Sequence, residues 1–308
     1  MPLHIQTPLL LSASLSTPDQ QIWLKLEALQ PPGSFKLRGM GHACQTYQQR
    51  GARRFVSSSG GNAGIAAAYC GRLLAVPVTV VVPQTTTARA KELIAQQGAE
   101  LIVHGASWQE ANALAQSRAT GDAALLHPFD DPLLWQGHAS MIDEVAASGA
   151  PRPDAVLLSV GGGGLLSGVI EGLRRNDWAD VPVLAVETAG ADSLAQAMAA
   201  GRRIELPAIT SIATSLGARQ VCEQAFALTQ SHEVQSVVVS DFEAVSACLR
   251  FIDDQRLLVE PACGAALAAV YGRHAALRPY RNVLVIVCGG VTASLAQLQQ
   301  WFKALGPQ

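Results

Sequence analysis

Short apolar segments rich in Val, Leu and Ile alternate along this chain with alanine-rich segments of helical periodicity. Each apolar segment is bounded by Gly, Pro or polar residues, which is typical of strands covered on both faces by helices. The pattern predicts an α/β fold with parallel twisted sheets flanked by helices, which places ligands at the carboxyl ends of strands. The candidate strands are Val78–Val82, Leu101–Val103, Ala155–Val160, Val183–Glu187 and Val283–Cys288.

Start and stop signals support the helical segments. Ser107–Glu110 and Ser240–Glu243 both fit the S-x-x-E capping box, and each precedes a periodic segment. Gly98 and Gly121 lie where helices would end. These signals predict helices that begin after Ser107 and Ser240.

Composition excludes several classes of protein. Of the 308 residues, 49% are hydrophobic and 15% are charged, and the net charge is −2, so neither a disordered chain nor a generic nucleic-acid binder is expected. We also expect no membrane span and no secretory signal. The six cysteines include no CxxC pair and no cluster at zinc spacing, which favours reduced thiols in a cytoplasmic protein.

Lysine is scarce, and one lysine has unusual neighbours. The chain has Lys25, Lys36, Lys91 and Lys303, and only Lys36 lies among Gly, Ser and Phe without nearby acidic residues, in PPGSFKLRG at Pro31–Gly39. A surface lysine is usually a solvated charge, whereas crowding by an aromatic residue lowers the pKa of a lysine, as a Schiff-base nucleophile requires. We expect the other three lysines to be ordinary solvated residues.

Two glycine-rich loops follow candidate strands. Phe55–Gly64 reads FVSSSGGNAG, and Val160–Gly168 reads VGGGGLLSG. The backbone N–H groups at a helix N-terminus bind anions, and unbroken glycine lets a phosphate approach closely. The alternatives are an ordinary glycine-rich turn for the first loop and a tight packing turn for the second. The second loop lacks the GK[ST] ending of a P-loop and is a poor dinucleotide fingerprint.

The last candidate strand ends in Cys288-Gly-Gly290. A buried cysteine is most often a small hydrophobic residue, and the sharper interpretation is a thiol that faces a ligand. The seven histidines form no spaced set of metal ligands. Asp130-Asp131 between prolines predicts a turn rather than a carboxylate dyad, and the chain lacks the G-x-S-x-G marker of serine hydrolases.

Taken together and in order, these motifs resemble the pyridoxal-phosphate (PLP) enzymes of fold type II, and most closely the L-serine/L-threonine dehydratases. The resemblance covers nearly the whole chain; it includes the motifs above together with HPFDDPLLWQGHAS, VETAGADS and LVEPACGAALAAVYG. It implies two α/β domains with PLP between them. Residues 1–39 and 133–308 would form the large PLP-binding domain, and residues 40–132 a small inserted domain.

The resemblance also assigns roles to residues. Lys36 matches the lysine that forms the Schiff base with PLP and later removes the substrate α-proton, and Phe35 matches the residue against the ring. Asn62 matches the partner of the cofactor 3′-oxygen, and Cys288 the residue facing the pyridine nitrogen. The phosphate cradle would be Gly161, Gly162, Gly163 and Gly164. The substrate carboxylate would be bound by Ser59, Gly60 and Asn62.

A monovalent-cation site, with potassium expected, is implied at Gly161, Glu187, Ala191, Ser193, Leu216 and Ala218. Glu187 is its one anionic ligand, and the other contacts are mostly backbone oxygens.

The chain departs from the family pattern at two places. Gly60 stands where many members have alanine, so we expect a looser carboxylate loop or a larger pocket. Val291-Thr-Ala293 follows the glycine pair where relatives often have Ser-Asn, which would change a polar contact near the cofactor. The chain has no room for a C-terminal regulatory domain, so feedback inhibition by isoleucine is not expected.

The resulting hypothesis is a cytoplasmic, homodimeric PLP-dependent dehydratase that acts on L-serine first and L-threonine second, with no nucleic-acid or membrane partner. The alternatives are another fold type II activity (racemisation or β-replacement), a weakly active PLP-binding regulatory relative, and a Rossmann-type dinucleotide binder.

Overall fold

The computed structural model describes residues 1–306 and divides into two compact units. One unit comprises Met1–Ile5 and Gln30–His138, and the other comprises Gln6–Leu29 and the rest of the chain from Ala139. The first is built on a four-stranded sheet and the second on a six-stranded sheet. The α/β fold with parallel sheets is therefore confirmed.

The four-stranded sheet of the first unit is entirely parallel, with strand order β5-β4-β3-β6. The inner strand β4, which has a neighbouring strand on each side, is apolar and largely buried. The edge strand β5 has only one neighbouring strand, and its Val103 is exposed. Its elements are α1 (Lys36–Gln49), β3 (Arg54–Ser57), α2 (Asn62–Leu74), β4 (Val78–Val82), α3 (Ala88–Gln96), β5 (Glu100–Val103), α4 (Trp108–Arg118) and β6 (Ala123–Leu126). Helix α5 (Pro132–Ala147) follows.

The six-stranded sheet of the second unit has the order β1-β2-β10-β7-β8-β9, and only the β1–β2 pair is antiparallel. Its inner strands β7 and β8 are buried at every position, which explains their unbroken apolar sequences. The strands are β1 (Leu9–Leu11), β2 (Gln21–Lys25), β7 (Ala155–Ser159), β8 (Val183–Thr188), β9 (Val234–Val239) and β10 (Asn282–Ile286). The helices are α6 (Gly164–Arg175), α7 (Ser193–Ala200), α8 (Glu223–Ser231), α9 (Asp241–Gln255), α10 (Pro261–Tyr271) and α11 (Leu295–Leu305).

The predicted helix starts are confirmed. Ser107 caps α4 and Ser240 caps α9, and in both capping boxes the glutamate three residues later accepts from the cap backbone. The Asp130-Asp131 pair forms the predicted turn, in which Asp131 Oδ1 accepts from Leu133 N at 2.8 Å and so caps α5. Gly98 adopts φ +82° just after α3, as a helix C-terminal glycine does.

The expectation that Lys25 is solvated is wrong. Lys25 is on β2 with 1% of its side chain exposed, and its Nζ donates to Thr7 O at 2.8 Å and pairs with the Glu144 carboxylate. A lysine on an inner strand is buried with its strand, and burial is tolerated because the charge is paired. Lys303 is exposed, as expected.

Candidate active site

Lys36 is the first residue of α1, at the end of the glycine-containing loop. Its side chain is half-buried, and its Nζ donates to Pro128 O at 2.6 Å and lies 5.1 Å from the centroid of the Phe35 ring. Pro128 follows β6, so the carbonyl that fixes the amine comes from the carboxyl edge of the sheet. The predicted proximity of Lys36 to an aromatic ring is thus present.

His138 packs against Phe35, and the sequence predicts no individual role for this histidine. The ring centroids of His138 and Phe35 are 4.9 Å apart, and His138 is fully buried. Neither ring nitrogen has a hydrogen-bond partner among residues 1–306. Burial, together with the charges of Lys36 and Arg38, holds the pKa of His138 well below its ordinary value, so this imidazole is neutral.

Glycine at position 39 is required by this contact. A Cβ on Gly39 would lie 2.5 Å from His138 Cε1, which is closer than real side chains approach. The GHAS segment carries no local signal for the contact, because His138 and Gly39 are almost a hundred residues apart in the chain.

The Ser/Gly loop links β3 to α2 and places its backbone at a helix N-terminus. Gly61 is the N-cap of α2, and Asn62, the first helical residue, is 8% exposed. Ser59 Oγ accepts from Gly61 N at 3.3 Å. A Cβ on Gly64 would lie 1.9 Å from Ser59 O, so the loop closes this tightly only with glycine there. The loop presents hydroxyl, amide and N–H donors, which suit a carboxylate.

Gly60 does not leave an empty space. A Cβ at position 60 would lie 2.5 Å from Thr86 Oγ1 and 2.8 Å from Thr86 Cγ2, so the threonine already occupies that volume. The expectation of a larger pocket at this point is therefore wrong.

The four-glycine loop lies in the second unit, between β7 and α6. Gly163 is the N-cap of α6 with φ +93°, a conformation that favours glycine. A Cβ on Gly161 would lie 2.9 Å from Leu216 Cα, and one on Gly163 would lie 2.3 Å from Ala225 Cβ. The loop is thus a tight turn, and it also presents the N–H groups of a helix N-terminus without side chains, which is compatible with the predicted phosphate site.

Cys288 follows β10 and is buried, with 6% exposure. A hydrogen bond with the Cys263 thiol and burial raise the pKa of Cys288 well above its ordinary value, so it is a neutral thiol. Nearby, Thr292 Oγ1 donates to Glu260 Oε2 at 2.5 Å, and a Cβ on Gly290 would lie 2.0 Å from Glu260 Cδ. Thr292, one of the residues that depart from the family pattern, therefore binds a buried carboxylate.

Glu187 lies on β8 and faces the start of α7. Its carboxylate accepts from Leu194 N at 2.8 Å and from Ala195 N at 2.7 Å. Burial outweighs these hydrogen bonds and raises the pKa of Glu187 to about 8. Ser193 Oγ is buried and has no hydrogen-bond partner within the described chain.

The other residues predicted to bind the cation lie in the same unit. Ala191 N donates to Thr188 O, and Ala218 N donates to Leu216 O. Across residues 1–306, no group of three or more His, Cys, Asp and Glu side chains is placed to hold a metal ion. A cation here would therefore depend on backbone oxygens and Glu187, as the sequence predicts.

The residues present fit PLP. The glycine turn at Gly161–Gly164 excludes side chains where a phosphate would bind, and the half-buried amine of Lys36 is available at a sheet edge beside an aromatic ring. A buried neutral thiol at Cys288 suits an uncharged ring nitrogen.

Comparison with known proteins gives full-length matches. A family model described as pyridoxal-phosphate dependent enzyme matches residues 1–289. The human L-serine dehydratase/L-threonine deaminase is 48% identical over 99% of this chain and 96% of its own length. The mouse serine dehydratase-like protein is 49% identical over the same shares.

Solved structures agree with the sequence matches. The L-serine ammonia-lyase from the fungus Rhizomucor miehei has a TM-score of 0.93 at 37% identity, and the match covers 98% of this chain and 99% of that one. Maize serine racemase has a TM-score of 0.87 at 27% identity, and the match covers 98% and 93% of the two chains.

Proposed function

The chain belongs to the pyridoxal-phosphate dependent enzymes, and from this premise we propose that it is an L-serine dehydratase that also deaminates L-threonine. The products are ammonia with pyruvate from serine or 2-oxobutanoate from threonine. The observation that carries this proposal is the 48% identity to the human L-serine dehydratase/L-threonine deaminase along 99% of the chain. The position of the Lys36 amine supports it.

In this proposal Lys36 would hold the cofactor through Nζ, and Phe35 would pack against its ring. Asn62 would bind its 3′-oxygen, Gly161–Gly164 its phosphate, and Cys288 would be the residue beside its pyridine nitrogen. When bound, PLP withdraws electrons from the substrate α-carbon and so makes the α-proton acidic. The short hydrogen bond to Pro128 O gives the Lys36 amine a defined direction before the cofactor binds.

Lys36 then does the proton transfer. Its Nζ would accept the substrate α-proton, and either the resulting Lys36 ammonium or the cofactor phosphate would protonate the β-hydroxyl as that group leaves as water. The donors of Ser59, Gly60 and Asn62 hold the substrate carboxylate. Their location at the N-terminus of α2 adds the favourable field of the helix.

The weak acidity of the Cys288 thiol influences which reaction follows removal of the α-proton. Because its thiol has a raised pKa, it donates a proton to a neighbouring nitrogen much less readily than a carboxylic acid would. Beside this thiol the ring nitrogen of a bound cofactor would stay largely unprotonated, which would favour prompt loss of the β-hydroxyl over transamination.

We further propose the potassium site at Gly161, Glu187, Ala191, Ser193, Leu216 and Ala218. Its support is the buried Glu187 carboxylate, which has a pKa raised by desolvation and would be stabilised by a cation. The unpartnered Ser193 Oγ is a further available oxygen.

We also propose a cytoplasmic homodimer whose cofactor domain comprises residues 1–39 and 133–308, with residues 40–132 inserted. None of the cysteines in residues 1–306 forms a disulfide, as suits a reducing compartment. Within residues 1–306, no helix combines the length and apolar character needed to cross a bilayer.

The decisive experiment measures 2-oxo acid release from L-serine, L-threonine, D-serine and bulkier β-hydroxy amino acids. We expect turnover with L-serine first and L-threonine second, complete loss in Lys36→Ala, and full activity in the matched control Lys303→Ala, whose side chain is exposed. Activity retained in Lys36→Ala would refute the mechanism.

The same assay separates the alternatives. Epimerised serine without 2-oxo acid would indicate a racemase, and cysteine formed in the presence of sulfide would indicate β-replacement. PLP absorbance with turnover no faster than free PLP would indicate a regulatory relative. Binding of NAD, with no lysine–PLP adduct after borohydride reduction, would indicate a dinucleotide-binding protein.

A further inference from the structure

Thr86 packs against the backbone of Gly60. Gly60 belongs to the Ser/Gly loop, to which the proposed function assigns binding of the substrate carboxylate. All three side-chain heavy atoms of Thr86 lie close to where a residue-60 Cβ would be: Oγ1 at 2.5 Å, Cγ2 at 2.8 Å and Cβ at 3.2 Å. Thr86 therefore fills the volume that a side chain at position 60 would need.

The sheet topology explains the contact. Strands β3 and β4 are parallel neighbours, with Ser57 aligned to Val80, so the loops that follow them leave the same edge. After β4, a turn closed by Thr86 N donating to Pro83 O at 3.1 Å brings Thr86 back over the Ser/Gly loop. The side chain of Thr86 is half-buried, whereas those of Thr85 and Thr87 are exposed.

Rotation cannot move this side chain out of the way. Both heavy atoms on the Thr86 Cβ face Gly60, so two of the three staggered positions lie on that side. Threonine fills two positions in every rotamer, so at least one heavy atom always remains beside residue 60. Serine fills only one position and can point its hydroxyl away.

We propose that Thr86 is a specificity-determining residue that holds the carboxylate loop in place from behind, and that Gly60 and Thr86 are a matched pair. This inference rests on the proposed function, because it gives the loop the task of binding the substrate carboxylate. The role is steric: the Thr86 hydroxyl makes no hydrogen bond to any other residue in the range 1–306.

The kinetic consequence is a change in KM more than in kcat. The carboxylate is held alike before and during the reaction, so weakening that grip removes uniform binding. Enlarging the space behind the loop also lets it recede, which favours the bulkier substrate. We therefore expect Thr86→Ala to raise KM for L-serine about fivefold, with kcat within about twofold, and to shift the preference towards L-threonine.

The test is a double-mutant cycle with Gly60→Ala and Thr86→Ser. Gly60→Ala alone overpacks the pair, and we expect kcat/KM for L-serine to fall about tenfold or more. In the double variant the serine hydroxyl can rotate away, so kcat/KM should return to within about threefold of the unmodified protein. Additive losses in the double variant would overturn the proposal.

Two further variants make the reason for any effect clear. Thr86→Val keeps the shape of the side chain and removes its hydroxyl, so we expect an unchanged KM for L-serine. A rise in KM equal to that of Thr86→Ala would mean that the hydroxyl matters and the shape does not. That result would contradict the proposal. Thr85→Ala changes the exposed neighbour and should leave kinetics and melting temperature unchanged.

Failure of the proposal and failure of the proposed function are distinguishable. If the unmodified protein makes no 2-oxo acid, the proposed function fails. If it does, and the cycle shows no coupling or the Thr86→Ala effect follows a fall in melting temperature alone, then only the role of Thr86 fails.

Discussion

At the scale of single residues, Gly163 and Gly290 each combine a left-handed backbone with a contact too close for any side chain. Gly163 combines φ +93° with an approach to Ala225, and Gly290 combines φ +112° with an approach to Glu260. In both places the backbone conformation and the lack of space each demand glycine, so a substitution incurs two penalties.

Gly163→Ala is expected to destabilise the protein and to weaken PLP binding. The left-handed backbone costs about 1–2 kcal/mol for an L-residue, and overpacking against Ala225 adds about 1–3 kcal/mol. Denaturant unfolding and a PLP titration measure the two effects.

Gly149→Ala is the matched control, because Gly149 has φ +76° and nothing within 4 Å of its added Cβ. It should incur only the backbone cost and bind PLP normally. Equal losses in both variants would show that the packing of the phosphate loop has no effect.

Residue contacts were predictable where the signal is local. The approach of Lys36 to the Phe35 ring could be predicted because the two residues are neighbours in sequence. Thr86 and His138 could not, since each acts through a contact with a residue distant in the chain. Lys25 was wrongly predicted to be solvated for a related reason: whether a strand residue is buried depends on which strands lie beside its own.

At the scale of elements, helix starts were predictable because caps are local chemistry. In the capping box of α9, Ser240 Oγ accepts from Glu243 N at 3.2 Å, and Glu243 Oε2 accepts from Ser240 N at 2.7 Å. Both groups are within four residues of each other, so no tertiary information is needed.

Ser240→Ala should lower the free energy of unfolding by about 1 kcal/mol, because an orphan N–H at the helix start loses its partner. Ser246→Ala is a suitable control within the same helix. Its hydroxyl donates to Phe242 O along the helix, so alanine there should be neutral or slightly stabilising. Equal losses in the two variants would contradict a specific capping effect.

The strands that sequence patterns missed are those with one-sided or polar surroundings. β1 and β9 are edge strands with exposed positions, and β2 carries a lysine and a glutamine among its five residues. Continuous apolar character identifies inner strands such as β4 and β7 and also the apolar edge strand β5, and it gives little signal for strands with polar residues.

At the scale of the whole molecule, buried ionisable groups link stability to pH. Glu187 has a pKa raised to about 8 against an ordinary value of 4.5, so the folded chain retains this proton where the unfolded chain has lost it. The contribution to stability is full below pH 4.5 and is lost as the pH rises through about 8.

Glu187→Gln should therefore flatten the decline of melting temperature between about pH 5 and pH 8, because glutamine does not titrate. Melting curves across that range measure the slope. A slope unchanged by the substitution would show that other groups carry the pH dependence.

The effect of potassium on the melting temperature tests the proposed cation site. If a cation neutralises Glu187, potassium should raise the melting temperature near pH 8 more than choline at equal ionic strength, and this difference should vanish in Glu187→Gln. An equal response to both salts would count against the proposed cation site.

The order of strands in the six-stranded sheet has a consequence for synthesis on the ribosome. Strand β10 lies between β2 and β7, yet it is the last of the ten strands to be made. Until residue 286 has left the exit tunnel, β2 and β7 have no common partner, and the nascent chain must keep their apolar edges from aggregating. The four strands of the other sheet are complete by residue 126, so that sheet can form while more than half of the chain is still untranslated. A translational pause or truncation before β10 should thus yield one ordered sheet and one open, chaperone-dependent one.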